Sequence, residues 1–116
     1  MNKYRNKKII VDGIEFDSKL EANRYCQLRI LEKAKEIKNL RRQVEYIIQE
    51  GFKKNNKTIR PIKYVADFVY YDLKKKKIII EDTKGYKNEV YKIKKKIFEY
   101  KYPDLEITEI RREDMQ

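Results

Sequence analysis

The stretch that most limits how this chain can fold is Tyr64 to Gly85, YVADFVYYDLKKKKIIIEDTKG. It reads as two strands joined by a lysine-rich turn at Lys74–Lys77. Strand side chains alternate between faces, so Asp82 and Lys84 share one face while Glu81 and Thr83 take the other. If the two strands are neighbours, Asp67 lies beside Asp82. Two carboxylates meeting at the end of an apolar strand suit a hard divalent cation such as magnesium. A lysine beside them places fixed positive charge where a phosphoryl transition state needs it. Ile78, Ile79 and Ile80 in succession predict a strand covered on both faces, hence a central one.

The rest of the chain supplies elements on either side. Ile9 to Phe16 is predicted to be a small hairpin turning at Asp12-Gly13. A helix is expected over roughly Lys19 to Lys38, capped by Ser18. Glu21 falls on or beside its core-facing side, and two roles compete for it. One is a capping-box acid tied to the Ser18 backbone; the other is a third acid aimed at the metal site. Leu40 to Gln49 reads as a strand in which Gln43 is an ordinary exposed polar residue, and Gly51 to Lys57 as a basic loop. Thr58 to Asp72 and Ile78 to Thr83 are the next strands, with Pro61 near the start of the first. After a loop at Gly85–Asn88, a second helix spans about Glu89 to Tyr100, with Val90, Ile93, Ile97 and Tyr100 as its apolar stripe, widened by Tyr91 and Phe98. Leu105 to Ile110 is the last strand.

Composition narrows the chemistry. A chain of 116 residues forms one domain, with residues 1–8 as a basic arm. It carries 30 Lys plus Arg against 19 Asp plus Glu, a formal net charge of +11. That excess is either a solvated surface or the footprint of a polyanion, and together with the acidic motif it points to nucleic acid. There is no histidine, which excludes histidine catalysis and ligation, and the single Cys26 excludes an internal disulfide or a cysteine cluster. A reducing cell interior, the cytoplasm, is therefore expected. No apolar run is long enough to suggest a membrane span.

The order hairpin, helix, three strands, helix, strand, with acids at Glu21, Asp67 and Asp82 and an amine at Lys84, resembles the PD-(D/E)XK nuclease superfamily. FDSKLEANRY, VADFVYYD, IIIEDTKGY and YKIKKKIFE together look like a group of short phage and prophage proteins within it. Ala66, not proline, precedes Asp67. The resemblance implies an α/β fold with a restriction-endonuclease-like αβββαβ core, a central mixed sheet flanked by two helices. It implies a metal-dependent endonuclease acting on DNA in phage recombination, repair or processing, branched DNA included. Glu21, Asp67, Asp82 and Lys84 would be catalytic. Asp67, Asp82, the Thr83 carbonyl and Glu21 would hold Mg2+ or Mn2+, and Lys84 would orient the attacking water. Lys94, which falls in the apolar arc of the second helix, would either snorkel to water or grip a phosphate. Lys74, Lys75, Lys76, Lys87, Lys92 and Lys95 would contact the DNA backbone, as would the lysines at 53–57. A homodimer is also among the expectations. The rival readings are a catalytically inactive DNA-binding module and a protein-binding module on the same fold.

Overall fold

The computed structural model of the chain describes residues 8–84 and 87–115. Most of the expected basic arm, together with Gly85 and Tyr86 of the expected loop, lies outside these residues.

The N-terminal hairpin pairs β1 (Ile9–Val11) with β2 (Ile14–Phe16). Asp12 and Gly13 both have positive φ, 54° and 75°, which is what a two-residue turn between twisted strands requires. Helix α1 (Lys19–Lys33) follows, with the Ser18 hydroxyl accepting from the Glu21 N–H at 3.0 Å. The helix stops five residues short of the expected Lys38. Lys35 adopts φ 61°, and Ile37 then begins β3 (Ile37–Gln49), buried as a strand residue opposite Asp72. The helical spacing through Ala34 and Ile37 is outvoted by strand pairing.

The central sheet has four strands in the order β3-β6-β7-β8, with β6 spanning Ile62–Asp72, β7 Lys77–Thr83 and β8 Ile107–Ile110. The first two pairings are antiparallel and the last is parallel, so the sheet is mixed. Helix α2 (Glu89–Lys101), capped by the Asn88 side chain, supplies the crossover from β7 to β8. The expected strand Thr58–Asp72 is broken at Arg60-Pro61. Its first residues and the expected basic loop form a separate hairpin, β4 (Phe52–Lys54) with β5 (Lys57–Ile59), turning at Asn55-Asn56 with φ 52° and 61°.

Two cores lie on opposite faces of the sheet. Phe16, Tyr25, Leu28, Ile37, Phe68 and Tyr70 pack under α1, and Ile48, Tyr64, Ala66, Val69, Ile80, Tyr91, Phe98 and Ile107 pack under α2. β7 is central, as expected, but Ile78 is 50% exposed, so the isoleucine run is sealed only at its C-terminal end. Of the stripe expected to bury α2, Ile97 packs against the core, but Val90, Ile93 and Tyr100 are 61%, 57% and 88% exposed. The sheet is met chiefly by Tyr91 and Phe98, the two residues expected to widen that stripe, and the Phe98 ring fills the space over Tyr64 and Tyr46.

Both long strands turn over midway. Leu40 faces the α1 core and Arg42 stacks on Phe16, whereas Val44 and Tyr46 face the α2 core. In β6 the same exchange separates Ala66 from Phe68. The pairing passes from Val44–Ala66 to Arg42–Phe68, and Gln43, between them, has φ 52°. Gln43 and Asp67 thus sit at the reversal, at the level where β7 ends.

Candidate active site

Strand alternation settles which acid of β7 faces which core. Glu81 points to the α1 side, where Arg24 grips both its carboxylate oxygens, at 2.7 and 2.6 Å, and the Tyr70 hydroxyl donates a further hydrogen bond. Asp82 points to the α2 side with Ile80. Its Oδ2 accepts from the Tyr64 hydroxyl at 2.7 Å, and its Oδ1 lies 3.1 Å from the Lys84 ammonium. Asp82 is therefore the acid that shares a face with Lys84.

Asp67 stands between the other two acids. Its Oδ2 accepts from both the N–H and the hydroxyl of Thr83, each at 2.8 Å, and its Oδ1 accepts from the Gln43 amide at 3.2 Å. The same amide nitrogen donates to Glu21 Oε2 at 3.1 Å. Glu21 does not close a capping box: among the described residues its carboxylate meets Gln43 and, at 3.6 Å, Arg42. The expected set of Glu21, Asp67, Asp82 and Lys84 is thus brought to one end of the sheet by α1, β6 and β7. Thr83 takes part through its N–H and hydroxyl, which orient Asp67.

The electrostatics show acids held against their preference for water. Burial, and then repulsion from Asp67, raises the Glu21 carboxyl to about 7. The same two causes in the same order raise Asp82 to about 6, against the opposing pull of Tyr64 and Lys84. Asp82 is 2% exposed, and the one partner of its Oδ1 among the described residues is the Lys84 ammonium at 3.1 Å. A carboxylate oxygen with a single cationic partner keeps a lone pair that a metal ion can take. Among the described residues no three acids lie close enough to hold one ion jointly. The arrangement instead offers two aspartates, Asp67 and Asp82, with Glu21 linked to Asp67 through Gln43. Magnesium commonly uses one or two carboxylates and keeps several waters. The all-oxygen donor set therefore fits a hard divalent ion.

Three supporting residues were not identified from the sequence. Tyr64 fixes Asp82, Gln43 ties Glu21 to Asp67, and the Tyr91 ring lies 4.5 Å under the Lys84 ammonium. Tyr64 and Tyr91 look like core residues by periodicity, and Gln43 like surface. Their roles depend on where two strands turn over and which face of α2 is buried, and neither is encoded locally.

A cleft of about 570 Å³ opens beside the site, lined by Ser18, Lys19, Leu20, Lys84, Lys87, Arg111, Arg112 and Glu113. Five cations and one acid make it a basic groove at the start of α1. Lys19, Arg111 and Arg112 are additions to the expected phosphate contacts. Of the expected ones, Lys87 and Lys95 pair with Glu109 at 3.0 and 3.3 Å, and Lys92 lies 3.6 Å from Glu89. Lys94 is half-buried and makes no ion pair among the described residues. Lys74, Lys75 and Lys76 form the exposed β6–β7 turn, where Asp72 accepts from the backbone N–H groups of Lys74 and Lys75. No helix among the described residues is long and apolar enough to cross a membrane.

The class defined by this fold and site is a mixed α/β domain with an acid-lined site at one end of its sheet. Within that class, a family model described as a protein of unknown function (DUF1064) matches residues 1–114, and the chain belongs to that family. No curated protein matches the chain, and no solved structure does.

Proposed function

We propose that this protein is a divalent-metal-dependent endonuclease that hydrolyses phosphodiester bonds in DNA. The observation that carries the reading is the meeting of Asp67, Asp82 and Lys84 at one strand end, with Asp82 buried and its Oδ1 paired with the Lys84 ammonium alone. Asp67 and Asp82 would hold the ion, and Glu21 would anchor water beside it through the Gln43 bridge. The ion, when bound, supplies Lewis-acid activation of water and neutralises charge at phosphorus. Lys84 stands next to Asp82 and stabilises charge developing on the phosphoryl oxygens. Tyr91 and Asp82 together hold that amine in place, so little reorganisation is needed as the reaction proceeds. The basic cleft running from Lys84 to Arg112 would receive the sugar-phosphate backbone.

The test is a cleavage panel of linear duplex, single strand, flap and four-way junction, each with Mg2+ and with Mn2+. Cleavage by the wild type that disappears in Asp82→Asn supports the reading. No cleavage of any substrate with either ion, or equal cleavage by the variant, refutes it. One observation favours a second reading, an inactive DNA-binding module: no three acids converge on a single point among the described residues. Calorimetric titration of Mg2+ separates the two, since the inactive module takes up none at Asp67 and Asp82.

A further inference from the structure

The β3–β6 ribbon outruns the sheet at the end where the acids lie. β6 pairs with β7 only as far as Phe68–Glu81, whereas β3 and β6 stay paired from there through Val44–Ala66 to Gln49–Ile62. The β4–β5 hairpin continues from this overhang. Every residue from Glu50 to Lys63 is exposed, so the hairpin packs on neither core. It is nonetheless regular. Gly51 allows its base to close, since a Cβ there would lie 3.0 Å from the Ile59 carbonyl oxygen.

Its charge is the informative feature. Residues 50–60 contain Lys53, Lys54, Lys57 and Arg60 against Glu50 alone. None of these four cations forms an ion pair among the described residues. Lys54 and Lys57 sit directly opposite each other in the ladder. Like charges in that position destabilise a hairpin, and a two-stranded hairpin without a core is marginal to begin with. Phe52 and Ile59, also directly opposite, share the face of Lys54 and Lys57, which gives one side of the hairpin an apolar base and a cationic tip. The lower ribbon adds an uncovered face, where Ile47 and Val65 stay exposed beside the Lys63–Glu45 pair.

We infer that the β4–β5 hairpin is a duplex-gripping arm that contacts the backbone away from the scissile bond. The assignment rests on the nucleic-acid part of the function proposed above. A two-stranded ribbon fits the major groove of B-DNA, and the four free cations match its phosphates. From Gln43 to Gln49 is six residues, or about 20 Å at ~3.3 Å per residue. The arm would therefore touch DNA about six base pairs or more from the acids, at ~3.4 Å per step.

The experiment replaces Lys53, Lys54, Lys57 and Arg60 together by Gln and measures duplex binding by fluorescence anisotropy in EDTA. Without divalent ion no cleavage is required, so an inactive nuclease site and a failed arm give different results. If each cation neutralises one phosphate, the slope of log K against log salt becomes shallower by about 3 to 4 on a duplex of about 24 base pairs. Between about 50 and about 200 mM salt, that is ~100-fold of salt dependence lost. On a duplex of about 8 base pairs, too short to span the site and the arm, variant and wild type bind alike. Unfolding of the variant by urea should show undiminished stability, since the four side chains are exposed. An unchanged slope on the long duplex overturns the inference. So does equal weakening on both lengths, or wild-type binding to phosphatidylserine vesicles tighter than to duplex.

Discussion

Replacing Glu21 by Gln should stabilise the protein at neutral pH in the absence of divalent ions, and leave its stability in acid unchanged. The folded protein holds the Glu21 proton more tightly than the unfolded chain, because burial and Asp67 raise its pKa from 4.5 to about 7. Between those values the native state carries more protons than the unfolded state, so stability falls as pH rises through the window and levels off above it. At about 1.4 kcal/mol per unit, the loss from Glu21 is about 3 kcal/mol once the acid is fully ionised. The opposing pull of Arg42 is already contained in that value. Glutamine keeps an oxygen for the Gln43 amide and has no charge to bury. Urea denaturation in EDTA should therefore give wild type and Glu21→Gln the same stability near about pH 4, with the variant ahead by about 3 kcal/mol near about pH 8. Saturating Mg2+ at the higher pH should narrow the gap, since only the wild type gains the full charge of its site. A difference that does not vary with pH, or a variant less stable than wild type at the higher pH, would refute the account of Glu21 as a strained acid.

Asp82→Asn and Lys84→Ala should each abolish cleavage while leaving duplex affinity in EDTA within about threefold, read by gel assay and anisotropy on the same samples. Arg24→Met should destabilise the fold by about 3 to 5 kcal/mol in urea melts, because it strands the buried Glu81 carboxylate, and the double change Arg24→Met with Glu81→Leu should recover most of that loss. Thr83→Val removes one of two donors to Asp67 Oδ2 and should weaken Mg2+ binding about tenfold by calorimetry, with a far smaller effect on the melting temperature. Tyr64→Phe should leave Asp82 Oδ2 without its hydroxyl donor and move the pH profile of cleavage toward higher pH, the direction expected when a group that stabilises the ionised form is lost.

The acids and the lysine were legible because strand alternation is a local rule. Asp82 and Lys84 share a face whatever the rest of the chain does, and the structure adds that Glu81 is spent on Arg24 and Tyr70. The order of a leading hairpin, helix, strands, helix and strand followed from the periodic segments, and the mixed sheet from the family resemblance that this order carries. Three things were hidden. The end of α1 was hidden because Ala34 and Ile37 continue its spacing, and only pairing with Asp72 claims Ile37 for β3. The β4–β5 hairpin was hidden because its turn is Asn-Asn and its strands are polar, a pattern shared with loops. The centre of the buried face of α2 was hidden because hydropathy favours Val90, Ile93 and Tyr100, while the sheet selects Tyr91 and Phe98, which the spacing places only at the edge of that arc. Each failure comes from a partner distant in the chain.

The reversal in β3 and β6 has a consequence for mutational scans. Even-numbered positions of β3 from Leu40 to Ile48 are all at least half-buried, and their odd-numbered neighbours are exposed. A profile of single substitutions would show one unbroken rhythm and no sign of a boundary. Pairwise coupling would reveal it: Leu40 and Arg42 answer to Phe16, whereas Val44 and Tyr46 answer to Phe98, and the change of allegiance falls at Gln43.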